Sequence, residues 1–393
     1  MKQLTLDFIQ AHKDDDVRLL ALKADKYPEV EMSFALDQIA GWQTACRKLP
    51  TFAATDGILY PPHLSMEQCS SEATACYKAQ VASRFAGVSS KMADLTGGFG
   101  IDFYFMGREF HQATYVERQE HLCGIVSHNL ALLPETQHTA FHVQCADGVE
   151  YLRGMAPVDL LYMDPARRDV HGAKTYALED CTPDVVQLCG LLLDKADHVM
   201  LKLSPMFDWH EAVKKLMNVS EVHIVSVANE CKELLVILSK RPSPSVSVTC
   251  VNDGSVFTFE DQQKQIQYQE GEIEAGMYLY EPNASLMKAG CFGALCERYG
   301  LRMVGRDSHL FIAGEAMPDF PGRKFQIEAL TSLKKAKQSL HEHDKANITV
   351  RNFPMSVAEL RKRLKLKEGG SSYVFATTFQ NGVHSLIICK KNP

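Results

Sequence analysis

Apolar positions change rhythm along the chain. Up to residue 85 they recur at helical spacing, as in DDDVRLLALKADKY and SFALDQIAGWQTACRKL. Tyr60-Pro61-Pro62 interrupts that spacing and SMEQCSSEATACYKAQVASRF resumes it, with Ser65 and Gln68 placed for a capping box. From Lys91 the pattern becomes short apolar runs at Met92–Leu95, Ala113–Val116, Phe141–Cys145, Val158–Met163 and His198–Leu203. Helical stretches such as Arg118–Leu133 and Pro183–Leu193 lie between them. That alternation predicts a parallel sheet covered on both faces. Two more strands follow, Glu221–Val227 and Glu233–Lys240. The gap Ala228–Lys232 is too short for a crossover helix, so they predict an antiparallel hairpin.

Arg241-Pro242-Ser243-Pro244-Ser245 reads as a linker. Beyond it, residues 246–275 are polar and strand-like, and 277–320 read as a small α/β unit with a helix over Ala284–Tyr299. The last stretch predicts strands at Lys324–Ala329 and Ala346–Val350, then a basic helix over Ser356–Leu364. Strands Ser372–Phe379 and His384–Lys390 close the chain around Gln380-Asn381-Gly382, a strong hairpin cue. The expected domains are therefore 1–85, 86–240, 246–322 and 323–393.

Composition narrows the class. The chain has 393 residues, 46% hydrophobic and 23% charged, as in an ordinary globular protein of more than one domain. It contains no apolar run long enough for a membrane span, and MKQLTLDFIQAHKDDD lacks the layout of a secretory signal. Twelve cysteines are scattered without a CxxC pair, which suits reduced thiols and a cytoplasmic location, not a zinc site. His341-Glu342-His343-Asp344 carries metal-ligand types but reads as a solvated helix face, so no metal is expected. The net charge is −6, yet residues 321–393 hold 14 Lys and Arg against 5 Asp and Glu. The densest positive cluster is Arg361, Lys362, Arg363, Lys365 and Lys367. Such a cluster gives salt-sensitive affinity for phosphates.

The sharpest local signal is Asp94-Leu95-Thr96-Gly97-Gly98-Phe99-Gly100-Ile101-Asp102, between a strand and a helix. Its glycines let backbone turn tightly and approach a ligand. A dinucleotide fingerprint would want Gly or Ala at position 103, where Phe103 stands. Asp94 lies before the glycines at the strand end and resembles the carboxylate that methyltransferases place there to face the methionyl end of S-adenosylmethionine (SAM). Glu117 ends the next strand, followed by Arg118, and can accept both ribose hydroxyls. Asp147, in Ala146-Asp147-Gly148 past the third strand, can accept from the adenine amine. Each acid alone is an ordinary strand-end cap, but three on one rim of an α/β sheet mark a ligand site.

Asp164-Pro165-Ala166-Arg167-Arg168-Asp169 follows the strongly apolar Val158–Met163. Nucleic-acid methyltransferases carry Asp/Asn-Pro-Pro-aromatic here, where the carboxylate and a backbone carbonyl hold a target amine in line with the SAM methyl. Ala166 and Arg167 replace the second proline and the aromatic residue. Arg167 can stack as a guanidinium plane or pair with phosphate. The turn Leu203-Ser204-Pro205-Met206 lacks the cysteine that a C5-pyrimidine mechanism requires.

Over residues 86–240 the chain resembles class I SAM-dependent methyltransferases. The pattern Asp94, Thr96, Gly98, Gly100, Asp102 is similar to that of ribosomal RNA guanine-N2 methyltransferases. The full layout resembles a bacterial family that joins a helical N-terminal region, this domain, a ferredoxin-like unit and a C-terminal THUMP-like domain. RNFPMSVAELRKRLKLKEGGSSYVFATTF carries the last resemblance. It implies a Rossmann-like sheet of five parallel strands plus an antiparallel hairpin, with small α+β C-terminal domains. It also implies SAM as cofactor and RNA (rRNA or tRNA) as partner. The expected cofactor residues are Asp94, Thr96, Gly97, Gly98, Gly100, Asp102, Glu117, Arg118, Ala146, Asp147 and Gly148. Asp164, Pro165 and Arg167 are the expected catalytic residues. Two alternatives stay open at this level, a small-molecule methyltransferase and an inert SAM- or RNA-binding protein.

Overall fold

The computed structural model describes all residues except 1, 135–137, 168–176, 263, 341–343 and 392–393, and omits the side chains of Arg167 and Lys337. The chain divides into two compact units, residues 1–222 with 233–244, and residues 223–232 with 245–393.

The first unit opens with helices α1 (Gln3–His12), α2 (Val17–Ala21), α3 (Met32–Lys48), α4 (Pro50–Ala54), α5 (His63–Gln68) and α6 (Glu72–Ala82). The capping box expected at Ser65 does not form. Helix α5 starts after Pro62 with no side-chain cap, because Pro62 and His63 already set its first turn. Ser71 caps α6 instead, accepting from Thr74 N. These helices form one body with the sheet that follows. Phe52 of α4 meets Phe99 and Tyr104 with ring centroids 5.7 Å apart in both pairs. The boundary expected at residue 85 is therefore not a boundary between compact units.

The alternating part runs β1 (Lys91–Asp94), α7 (Ile101–Gly107), β2 (Gln112–Glu117), α8 (Glu120–Leu130), β3 (Ala140–Cys145), α9 (Gly148–Gly154) and β4 (Val158–Met163). It continues with β5 (Ala166–Arg167), β6 (Cys181–Thr182), α10 (Val185–Lys195), β7 (Ala196–Leu203), α11 (Trp209–Lys215), β8 (Val219–Val227) and β9 (Glu230–Ser239). Among the strands from β1 to β9 that share this sheet, the order is β8-β9-β7-β4-β1-β2-β3. The pairs β1–β2, β1–β4, β2–β3 and β4–β7 are parallel, and β7–β9 is antiparallel. The central strands are apolar throughout because both faces are covered. Leu160 to Met163 and Val199 to Leu201 are almost wholly buried. Aspartates cap α9, α10 and α11 from Asp147, Asp184 and Asp208.

In the second unit, β10 (Ser247–Asn252) and β11 (Ser255–Glu260) form an antiparallel hairpin. Then come β12 (Tyr278–Pro282), α12 (Ala284–Ala289), α13 (Phe292–Tyr299), β13 (Arg302–Met303), β14 (Phe311–Ala313) and β15 (Gly322–Thr331). The chain closes with α14 (Ala336–Ser339), β16 (Asn347–Arg351), α15 (Val357–Leu364), β17 (Ser372–Thr378) and β18 (His384–Lys391). The single helix expected over Ala284–Tyr299 is two. Gly290 takes a left-handed conformation, φ 67°, and ends α12. One sheet of order β13-β14-β12-β15-β18-β17-β16 spans both expected C-terminal domains. Ser356 and Glu359 form the capping box of α15, and Gly382 turns the β17–β18 hairpin at φ +81°.

Candidate active site

Neighbouring strands of the first sheet end at one edge, and backbone bonds lace their tips together. Leu95 N donates to Tyr162 O, Gly97 N to Val116 O and Ala146 N to Glu117 O, all at 3.0–3.1 Å. This ladder sets Asp94, the glycine turn, Glu117, Ala146 and the start of the Asp164 loop side by side. The glycines are needed where they stand. A Cβ on Gly97 would lie 2.1 Å from the Tyr115 ring, and Gly98 and Gly100 have φ of +53° and +78°. Gly148 brings α9 against the loop after β1, where a Cβ would meet Leu95 O at 2.2 Å. Phe103 packs edge-on against Tyr115 and Phe141, filling the space a dinucleotide fold keeps small.

The carboxylates differ in how much of each is already used. Glu117 accepts from Gly98 N through Oε2 and from Gln119 N through Oε1, both at 3.0 Å. Gln119 Nε2 also reaches Oε1, at 3.3 Å, so Glu117 holds the glycine turn in shape and keeps one acceptor site free on Oε2. Asp147 caps α9 through Oδ1, bonding Val149 N and Glu150 N. Asp94 is 1% exposed and takes Thr96 N at 2.9 Å. Burial pushes its carboxyl up to about 8. The Thr96 bond opposes that shift, and the charges of Asp102 and Asp164 add to it. No cation is paired with Asp94 among the described residues. A ligand ammonium brought to it would supply that charge, so the site fits the methionyl end of SAM.

Thr96 explains its own presence in the glycine loop. Its hydroxyl accepts from Asp164 N at 2.7 Å and donates to Asp94 Oδ1 at 3.3 Å. One side chain therefore clasps the Asp94 carboxyl to the loop that follows β4. Pro165 is buried beside it and Ala166 is exposed. Arg118 is exposed on the rim. The side chain of Arg167 and residues Arg168 and Asp169 lie outside the described residues, as do residues 341–343 of the histidine-rich motif. Among the described residues no group of His, Cys, Asp and Glu is arranged to hold a metal. No described helix is long and apolar enough to cross a membrane.

Comparison with known proteins decides the family. A Porphyromonas gingivalis W83 protein, assigned as a methyltransferase, shares 31% identity and superposes with a TM-score of 0.86, over 99% of this chain and 98% of that one. The chain belongs to that methyltransferase family. Residues 278–321 of this methyltransferase match a ferredoxin-like domain family, and residues 322–391 match a THUMP domain-like family. Its strand order and closing hairpin are those of the class I methyltransferase sheet named above. An rRNA methylase from Streptococcus thermophilus shares 16% identity over 42% of this chain and 94% of that one, TM-score 0.31. M. capricolum TrmK, solved with S-adenosyl-homocysteine, shares 8% over 42% and 69%, TM-score 0.32. Similarity that slight carries no argument here. No curated protein matches the sequence.

Behind the rim this methyltransferase holds a charged network that the sequence reading missed. Lys78 of α6 is fully buried and bonds both oxygens of Glu233 on β9, at 2.6 and 2.7 Å. Its Nζ also lies 3.2 Å from Asp102 Oδ1, close enough to pair but off the hydrogen-bond angle. Asp102 Oδ2 accepts from Ser70 at 2.8 Å and from Tyr162 at 2.7 Å. Burial alone would raise Asp102, but Lys78 and Lys202 outweigh it and hold the carboxyl below its usual range. Burial pushes Glu233 up, with Lys78 pulling the other way. Asp102, expected on the cofactor, is therefore engaged by the protein's own groups. Ser70 is committed to Asp102 in the same way.

Proposed function

We propose that this protein is a SAM-dependent methyltransferase that modifies a base nitrogen in RNA, rRNA or tRNA. The reading is carried by the Asp94–Thr96–Asp164 clasp, which fixes a buried carboxyl and an accessible one at neighbouring strand ends. SAM, when bound, supplies an electrophilic methyl group on a sulfonium. Asp94 would meet its ammonium, Glu117 a ribose hydroxyl, and Asp147 its adenine amine, while Gly97, Gly98 and Gly100 give the backbone room. Thr96, Ala146 and Gly148 shape that turn; Arg118 lies at its rim.

Asp164, with a backbone carbonyl beside Pro165, would accept hydrogen bonds from the target amine and aim its lone pair, so that the rate comes from positioning. Arg167 would meet the base plane or a phosphate. Lys362, Arg363, Lys365 and Lys367 are exposed around the C-terminal end of α15 and suit phosphate contacts. Arg361 is half-buried and gives a bond to Ala346 O, so it contributes less to such a surface.

The test is methyl transfer from labelled SAM to total RNA of a strain lacking the protein, with the labelled nucleotide mapped. Asp164→Ala should lower transfer about 100-fold while calorimetry shows SAM binding retained. An Asp164→Ala variant as active as its parent would refute the role of that carboxylate. A flat dependence of RNA affinity on salt would remove RNA as partner.

A further inference from the structure

Lys202 plays no part in the roles above, yet its ammonium sits on the acceptor-side carboxylate. Strands β4 and β7 are parallel neighbours with Met163 beside Leu201, so Asp164 and Lys202 follow at the same level. Lys202 Nζ donates to Asp164 Oδ2 and lies 4.0 Å from Asp102 Oδ2. The lysine side chain is 15% exposed and that of Asp164 39%. The ammonium thus backs the carboxylate from inside, and the carboxylate stays reachable. Burial works against the charge on Lys202, but Asp164, Asp102 and Glu233 outweigh it and hold the amine protonated well above its ordinary range. A lysine held as ammonium is no base. It can pin a carboxylate, and Asp102 is itself fixed by Ser70, Tyr162 and Lys78.

We propose that Lys202 is a positioning residue for methyl transfer. It occupies Asp164 Oδ2 and fixes the carboxylate in one orientation, so that the acceptor N–H is taken from one direction. This inference rests on the RNA-methylation reading. In the step, the acceptor nitrogen's lone pair forms the new N–C bond, and the S–C electron pair stays on sulfur. The surplus acceptor proton passes to water. Lys202 neither gives nor takes a proton. It keeps Asp164 from swinging while the bond forms, and neutralises a charge that would otherwise stand unpaired at the mouth of a buried cluster.

The experiment is a double-variant cycle on the full-length protein, reading single-turnover methyl transfer to RNA and calorimetric SAM binding side by side. Lys202→Met should cut the transfer rate about 30-fold and leave the SAM Kd within about threefold. Lys202→Arg should recover most of the rate. In an Asp164→Ala background, Lys202→Met should cost nothing further, because it acts through that carboxylate. Lys202→Gln keeps the stem without the charge and carries the same expectations if the methionine variant does not fold. Rates within about threefold of the parent, or losses that add in the double variant, overturn the inference. A parent that methylates no RNA overturns the RNA reading and this inference together. An active parent with an undiminished Lys202→Met overturns this inference alone.

Discussion

Each unit contains one buried carboxylate held between two cations, and the two clusters serve differently. In the first unit Asp102 lies between Lys78 and Lys202. In the second, Glu281 of β12 takes Arg323 Nε at 2.6 Å and Arg351 Nη2 at 3.0 Å. Both carboxylates are buried, so the difference lies in the cations. Lys78 is fully buried and Lys202 is 15% exposed, whereas Arg323 and Arg351 are 46% and 35% exposed. Water can solvate the arginines if the clasp opens. Lys78 has no such fallback, and Lys202 carries the run of charges outward to Asp164. Burial of the cation is what distinguishes the two clusters.

The largest effect should come from Lys78→Met, which strands Glu233 and Asp102 without their ammonium. Denaturant unfolding should show a loss of about 3–5 kcal/mol. A loss below about 1 kcal/mol would put the first cluster on a level with the second.

Asp94 sharpens the comparison as a buried carboxyl with no paired cation among the described residues. Its ordinary value is 3.8 and its folded value about 8, so the folded state binds the extra proton between those limits. Ligand-free stability from this group is full below pH 3.8 and falls as pH rises toward 8, by at most about 1.4 kcal/mol per pH unit. Melting curves from pH 6 to 8 should flatten in Asp94→Asn; an unchanged slope would assign the dependence to another group. Arg351→Met should have the smallest effect, about 1 kcal/mol or less by the same unfolding measurement, since Arg323 still pairs with Glu281.

The rim was legible because its signals are local. A glycine turn, an acid at each strand tip and an Asp-Pro step sit within a few residues of strands whose apolar runs identify them. Strand ends agree with the sequence reading to within three residues, and the β17–β18 turn was written in Asn381-Gly382. The network was not legible as a network, because Ser70, Lys78, Asp102, Tyr162, Lys202 and Glu233 meet only through the tertiary fold. Each charge still left a trace. Lys202 interrupts HVMLKL and Glu233 precedes LLVIL, lone charges in runs that are otherwise apolar. A charge stranded in such a run must find a buried partner. The break at Gly290 was likewise visible, but helical spacing on both sides concealed it.

The ion pair between Lys78 and Glu233 joins residues 155 positions apart. At ribosomal speeds of about 5–20 residues per second, α6 waits on the order of 8–30 s for β9 to be synthesised. Until then a lysine destined for a dry interior stays in water, while the helices before it can already pack on one another around Phe8, Leu20, Ala35 and Ile39. The Lys78 ammonium is therefore paired only after most of the first unit has been synthesised.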